Sequence, residues 1–380
     1  MKIALIRGDF AAPSELTNFR PLLKEHEVTL FTGFMPVWDL SKISGFQLVK
    51  LFSPVDFNLG KISRFRMAVL NRLFTDAHVL FGLENELKGF DIAHCAETYY
   101  SFTQQCINAK EKGCIKKIVS TVWENIPFNN EAISGRKYFK KRALKNIDLF
   151  LAVTDSAKDV LIQEGCAVSK VAVLKPGVDL TVFKPARISR FRQLVRSSRV
   201  KLTVVCRLVP EKGVLETLDL YKKLKAICLD VELIIVGTGP LKQKIEEAII
   251  KNQIRDVTLL GKVDYLDMPK IYSLSDILIH YPVGSPTWSE QYGMVLLEAM
   301  ACGLPVVALD VGSSKEVINQ GGIVVGRDKL LIAIRDLVFD RTHRLKISRN
   351  AYNYARLTYD SRQYAKKLEA LYENMLLTKD

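Results

Sequence analysis

The same alternation of short apolar runs and helical stretches occurs twice along the chain, and this limits the fold more than any other feature. In the first half, runs rich in β-branched and aliphatic residues fall at Lys2–Ile6, Glu27–Phe31, Asp91–His94, Lys117–Val122, Leu149–Val153 and Val171–Leu174. In the second half they fall at Lys201–Cys206, Val231–Val236, Val257–Leu260, Ile277–His280, Val306–Leu309 and Ile323–Val325. Spacings of roughly 20 to 60 residues leave room for a crossover helix after most runs, the pattern of βαβ units and parallel sheets. A chain of 380 residues is too long for one ordinary core. The reading is α/β, with two Rossmann-like domains joined near Ala186–Arg199, a run rich in Arg and Ser. The halves share architecture without a visible sequence repeat.

Ligands of open α/β sheets bind at the carboxyl ends of the strands, so those ends hold the candidates. The first βα turn, Gly8-Asp9-Phe10-Ala11-Ala12-Pro13, lacks G-x-G-x-x-G, which argues against a dinucleotide site there. Asp91–Tyr100 brings His94 and Glu97 to a strand end, with a satisfied structural histidine as the plainer reading of His94. Ile118–Phe128 does the same for Trp123 and Glu124. Trp123 offers a stacking face for a sugar, and Glu124 a hydrogen-bonding group or base for an acceptor hydroxyl. The plainer alternative is a buried Trp beside a Glu that caps or pairs locally.

Past the strand at 201–206, Val205–Val214 supplies Arg207 and Lys212, a planar fork and a point charge able to grip a diphosphate. Gly237 and Gly239 form a turn before a helix, allowing close backbone approach. Trp288–Pro305 holds Glu290 and Glu298 eight positions apart, with helix formers between Gly293 and Gly303 and Pro305 just beyond. Glu290 then lies outside a helix N-terminus and Glu298 about halfway along. The free N–H groups at residues 291–294 (Gln291, Tyr292, Gly293, Met294) suit a phosphate.

The net charge of +14 calls for an anionic partner: nucleotide phosphates or an anionic lipid surface, with nucleic acid ranked last because no nucleic-acid motif accompanies it. Lys61–Phe74 is a basic segment with Ile62, Phe65, Val69 and Leu73 on one helical stripe, which reads as a membrane-surface contact or an ordinary core-facing helix. The start, M-K-I-A-L-I-R-G-D-F, reads as a strand rather than a signal peptide. The longest apolar stretch, Gly293–Leu309, is broken by Glu298, Gly303 and Pro305. Seven scattered cysteines without a C-x-x-C pair read as reduced thiols, hence a cytoplasmic protein, peripheral on a membrane's inner face if the basic segment binds there.

E-Q-Y-G-M-V-L-L-E-A-M-A-C-G-L-P-V-V, from Glu290, resembles the E-x7-E signature of the retaining glycosyltransferases of GT-B fold, often called family 4. Leu174–Pro185 is similar to the family's P-N-G-V-D…F-x-P segment, with Pro176 in place of Asn, and Val205–Val214 to its R-L-x-x-x-K-G segment. The resemblance implies a GT-B architecture facing a central cleft. Its parts are an acceptor domain at 1–185, a linker at 186–200, a donor domain at 201–345, and helices at 346–380 returning to the first domain. It assigns Glu290 to donor-sugar hydroxyls, Glu298 to the ribose, Arg207 and Lys212 to the leaving diphosphate, and Leu259–Val263, with Lys262 and Val263, to the base. Gly8, His94, Glu97 and Trp123 fall on the acceptor side. Many members carry a His where Trp123 and Glu124 stand. No D-x-D triplet occurs, and the resemblance implies metal-independent transfer without a cofactor, from a nucleoside-diphosphate sugar (UDP or GDP) to a glycan or lipid-linked acceptor. A sugar-nucleotide epimerase or phosphorylase of the same fold, or a non-catalytic GT-B module, stays open.

Overall fold

The computed structural model describes residues 1–41, 43–56, 69–71, 74–185 and 199–377. The chain divides into two units, Met1–Pro176 with Ser361–Asp380, and Gly177–Asp360.

The first unit is built on seven parallel strands: β1 (Lys2–Ile6), β2 (Glu27–Thr32), β3 (Gln47–Lys50), β4 (Phe90–Ala96), β5 (Ile115–Val122), β6 (Leu149–Ala152) and β7 (Val171–Val173). Their order is β3-β2-β1-β4-β5-β6-β7, so the winding reverses between β1 and β4. Alternate residues serve opposite faces. Ile3 and Leu5 join Val28, Leu30, Ile92 and Val119 under the C-terminal helix, whereas Ala4 and Ile6 join Phe31, Ala93 and Ile118 under the helix Ser101–Glu111. With both faces covered, β1, β2, β4 and β5 are apolar on both sides, which is why they are plain in the sequence. β3 was not expected: it is a short edge strand whose residues are mostly exposed, so it lacks an apolar run.

The second unit holds six parallel strands: β8 (Val200–Val205), β9 (Val231–Val236), β10 (Val257–Gly261), β11 (Ile277–His280), β12 (Val306–Leu309) and β13 (Ile323–Val325). The order β10-β9-β8-β11-β12-β13 reverses between β8 and β11. Leu202, Val204, Leu233, Ile235, Ile277, Ile279 and Val307 carry its core, packed against Leu218 and Tyr221 of the helix Val214–Ile227.

The units differ from the expected domain limits in two places. Residues 177–185 belong to the second unit, because the Val178 N–H donates to the Tyr359 carbonyl (2.8 Å) and Phe183 packs 5.1 Å from Tyr265. The helix Arg341–Thr358 also stays there, against the helix Met294–Ala301, so the return to the first unit begins at Ser361. The helix Ser361–Leu377 then buries Tyr364, Ala365, Leu368 and Tyr372, a stripe at helical spacing. Of the expected linker, residues 186–198 lie outside the described residues, as do residues 61–68 and 72–73 of the basic segment. The seven cysteines are free. No helix among the described residues is long and apolar enough to cross a membrane.

Candidate functional site

The reversal between β8 and β11 opens a crevice at their carboxyl ends. The loop after β8 carries Arg207 and Lys212. β11 ends in His280, and the segment after it leads through Trp288 and Glu290 into the helix Met294–Ala301. The two loops are tied together by the Val283 N–H donating to the Glu211 carbonyl (2.9 Å).

Glu290 is the centre of this crevice. It is buried (5 % exposed). The Lys212 Nζ donates to its Oε2 at 2.6 Å, and the His280 Nε2 stands 3.0 Å from the same oxygen. The His280 contact lacks hydrogen-bond direction, so Lys212 supplies the directed hydrogen bond of the two. Burial alone would raise the Glu290 pKa; His280 and Lys212 outweigh it and hold the carboxyl at about 2. Lys212 also lies 4.8 Å over the Trp288 ring. The carbonyl of Glu290 accepts from the Ser313 N–H (2.8 Å). Gly312 makes that approach possible: a Cβ there would stand 2.2 Å from the Glu290 oxygen, on a backbone with φ +60°. Arg207 is not drawn into the cluster; its exposed guanidinium pairs with Glu211 at 3.5 Å.

The expected helix is present, with Gly293 as its N-cap residue and Gly303 in the left-handed region beyond its end. Glu298, on this helix, is 4 % exposed. Burial pushes its pKa up to about 7, against the hydrogen bond that the Tyr272 hydroxyl donates at 2.7 Å. Gln291 and Met294 are half-buried beside the N-terminus. Tyr292 is different: it is buried, with its ring 6.4 Å from that of Tyr359, so its side chain serves the core.

Gly237 and Gly239 permit a close approach, though of backbone to backbone. A Cβ on Gly237 would fall 1.8 Å from the Cys206 carbonyl oxygen, and one on Gly239 2.5 Å from that of Leu208. Their role in this structure is to seat the Arg207 loop against the end of β9. Gly237 donates to the Gly261 carbonyl (2.7 Å), and beyond Gly261 come Lys262, exposed, and Val263, half-buried.

In the first unit, three of the expected side chains are already engaged. His94 is fully buried; its Nδ1 is bonded to the Tyr372 hydroxyl and its Nε2 lies 2.7 Å from the Thr121 hydroxyl. It is a structural histidine with no nitrogen left for an acceptor, and burial holds its pKa well below the usual value. Glu124 is also committed. Its Oε1 accepts from the N–H groups of Asn125 and Ile126, and its Oε2 from the side-chain amides of Asn129 and Asn130. It organises its own loop and is corrected from base to capping residue. Glu97 accepts from the Trp123 N–H (2.9 Å), and its second oxygen is buried without a hydrogen-bond partner among the described residues. Gly8 has φ +52° in the turn after β1, and Trp123 is half-buried after β5. His280 was not singled out from the sequence; its only signal is its place as the last residue of a strand next to the reversal.

Solved structures share this architecture. The Anabaena protein HepE in complex with UDP and glucose matches with a TM-score of 0.76 at 19 % identity, covering 98 % of this chain and 99 % of that one. A glycosyltransferase from Rickettsia africae matches with a TM-score of 0.75 at 18 % identity, covering 100 % of this chain and 99 % of that one. Two doubly wound parallel sheets in two units therefore make this a GT-B fold. Residues 186–354 match the family described as Glycosyl transferases group 1, and the second unit carries a domain of that family. An uncharacterized glycosyltransferase of Methanocaldococcus jannaschii is 28 % identical over 238 residues, 62 % of this chain and 60 % of its own length. The GDP-mannose-dependent alpha-(1-6)-phosphatidylinositol monomannoside mannosyltransferase of Mycobacterium tuberculosis is 33 % identical over 181 residues, 44 % of this chain and 46 % of its own. The chain thus spans less than two thirds of the length of these curated relatives.

Proposed function

We propose that the chain is a retaining glycosyltransferase that moves a sugar from a nucleoside-diphosphate sugar to an acceptor hydroxyl without a metal ion. The observation that carries this is Glu290, held between Lys212 and His280 just outside a helix N-terminus in the crevice of the second sheet. A carboxylate held near pKa 2 stays ionised, so it accepts hydrogen bonds from sugar hydroxyls and gives up no proton. Lys212 and the free N–H groups at the helix start neutralise charge on the leaving diphosphate. The bond from the anomeric carbon to the phosphate oxygen breaks, with its electron pair passing to that oxygen. The acceptor hydroxyl attacks the same face, and its proton passes to the departing phosphate. Glu298, with Tyr272 behind it, meets the ribose diol. UDP or GDP is the expected nucleotide, in line with the UDP held by HepE and the GDP-mannose of the mycobacterial relative.

The test is thermal stability of the full chain with UDP, GDP, ADP and their sugars in EDTA, then with Mg²⁺. At ~100 times its dissociation constant a ligand adds roughly 2.7 kcal/mol. The expected result is a metal-free shift for one nucleotide family that disappears in Glu298→Ala. Absence of any shift, or one that requires Mg²⁺, overturns the reading.

The acceptor we propose is a glycan or lipid-linked glycan met at an anionic, cytoplasmic membrane face. The basic segment at 61–74 supports it, as does an exposed apolar run in the same unit, Phe34, Met35, Val37 and Trp38. Sedimentation with phosphatidylglycerol vesicles should be strong in low salt and lost in Trp38→Ser. Equal recovery on phosphatidylcholine, or none on either, removes this part of the proposal.

A further inference from the structure

The reversal in the first sheet, between β1 and β4, has its own cluster at the carboxyl ends. Asp76 is fully buried and receives four donations. The Ser101 N–H reaches its Oδ2 at 2.8 Å and the Ser101 hydroxyl its backbone carbonyl at 2.7 Å. The Arg136 guanidinium and the His78 ring both meet Oδ1, at 3.1 and 2.9 Å. A carboxylate that already accepts from a guanidinium and an amide can only accept from the imidazole. The Nδ1 of His78 therefore carries a proton, and Nε2 is the nitrogen at which a neutral ring would offer its lone pair. Beside it stand Phe10, from the turn after β1, and Tyr100, from the turn after β4. The Phe10 ring lies 4.6 Å from that of His78 and stacks 5.2 Å from that of Tyr100, and Phe10 remains 37 % exposed.

An apolar ring face next to one oriented hydrogen-bond acceptor fits a pyranose, whose C–H face packs on an aromatic ring while its rim presents hydroxyls. We propose that Phe10, His78 and Tyr100 form a subsite for the hydroxylated ring of the acceptor. The His78 Nε2 accepts from a ring hydroxyl, and Asp76 is the positioning residue that fixes the tautomer. The class of ligand rests on the glycosyl-transfer reading; the site itself rests on the geometry.

The experiment uses the full chain with methyl α-glucopyranoside and methyl α-mannopyranoside, observed by saturation-transfer NMR. Saturation of the ring C–H protons is expected from one of them, reduced at least ~5-fold in Phe10→Ala, whose partly exposed position spares the core. In Asp76→Ala, the Nδ1–H of His78 loses the acceptor that fixes it, so the ¹⁵N shifts of His78 should move toward the Nε2–H tautomer while glycoside binding falls. A folded Asp76→Ala chain with an unchanged tautomer overturns the positioning role. No transfer in the native chain, or equal transfer in Phe10→Ala, overturns the subsite. A chain that binds nucleotide but neither glycoside keeps the transfer reading and loses this one; glycoside binding without nucleotide binding does the reverse.

Discussion

Lys212→Ala is expected to lower turnover at least ~10²-fold, the loss typical of removing one group that stabilises developing charge in a desolvated site. Lys212 acts twice. Its Nζ donates to a buried carboxylate at 2.6 Å, and in the proposed transfer it is the cation that follows the leaving diphosphate. Without it Glu290 still has His280 beside it, so its carboxyl should lose part of the depression that now holds it at about 2. That depression has a stability consequence. A carboxyl lowered from 4.5 to about 2 adds about 3 kcal/mol, present in full above pH ~4.5 and lost as pH falls through the folded value. Lys212→Ala should therefore be less stable at neutral pH and less sensitive to acid, read by urea unfolding at pH 3 and 7. Glu290→Ala and Arg207→Ala are expected to lose turnover on the same scale. In the native chain, the anomeric coupling of any transfer product, read by proton NMR, reports retention or inversion. Near-normal turnover in all three variants would sink the assignment.

What the sequence made legible was local. The helix Met294–Ala301 could be placed because two glycines and a proline mark its ends within the segment itself, and the strands because burial on both faces leaves apolar runs. What stayed hidden depends on partners far along the chain. His94 has the look of a site residue at a strand end, yet its Nδ1 is taken by Tyr372, 278 positions away. His280 meets Glu290 only because the sheet reverses between β8 and β11, and a lone histidine ending an apolar strand carries no mark of that. The domain limits failed for the same reason: Val178 is bound to Tyr359, and no feature of either segment announces the other. Glu124 is the opposite case. Its four donors lie within the next six residues, and the Asn125, Asn129 and Asn130 side chains around it favour the local capping reading from the sequence alone.

Glu97→Gln is expected to abolish a large alkaline loss of stability. Glu97 holds a left-handed backbone (φ +58°), unusual for a residue with a Cβ. Burial, and then the neighbouring Glu124, push its carboxyl up to about 8, against the Trp123 N–H and Lys140, which pull it down. In the unfolded chain the group titrates near 4.5, so between the two values the folded state holds a proton that the unfolded state has lost. Stability therefore falls as pH rises from ~4.5 and levels off above ~8, by about 5 kcal/mol for this one group. Glu298, raised to about 7 by burial, adds a slope of the same sign. Glu290 contributes nothing there, because its window lies below pH 4.5. A glutamine keeps the shape and the acceptor for Trp123 while removing the titration. Urea midpoints at pH 5, 6.5 and 8 should decline in the native chain and decline markedly less in Glu97→Gln. Parallel curves would mean that Glu97 is ionised in the folded state, its negative charge balanced by Lys140.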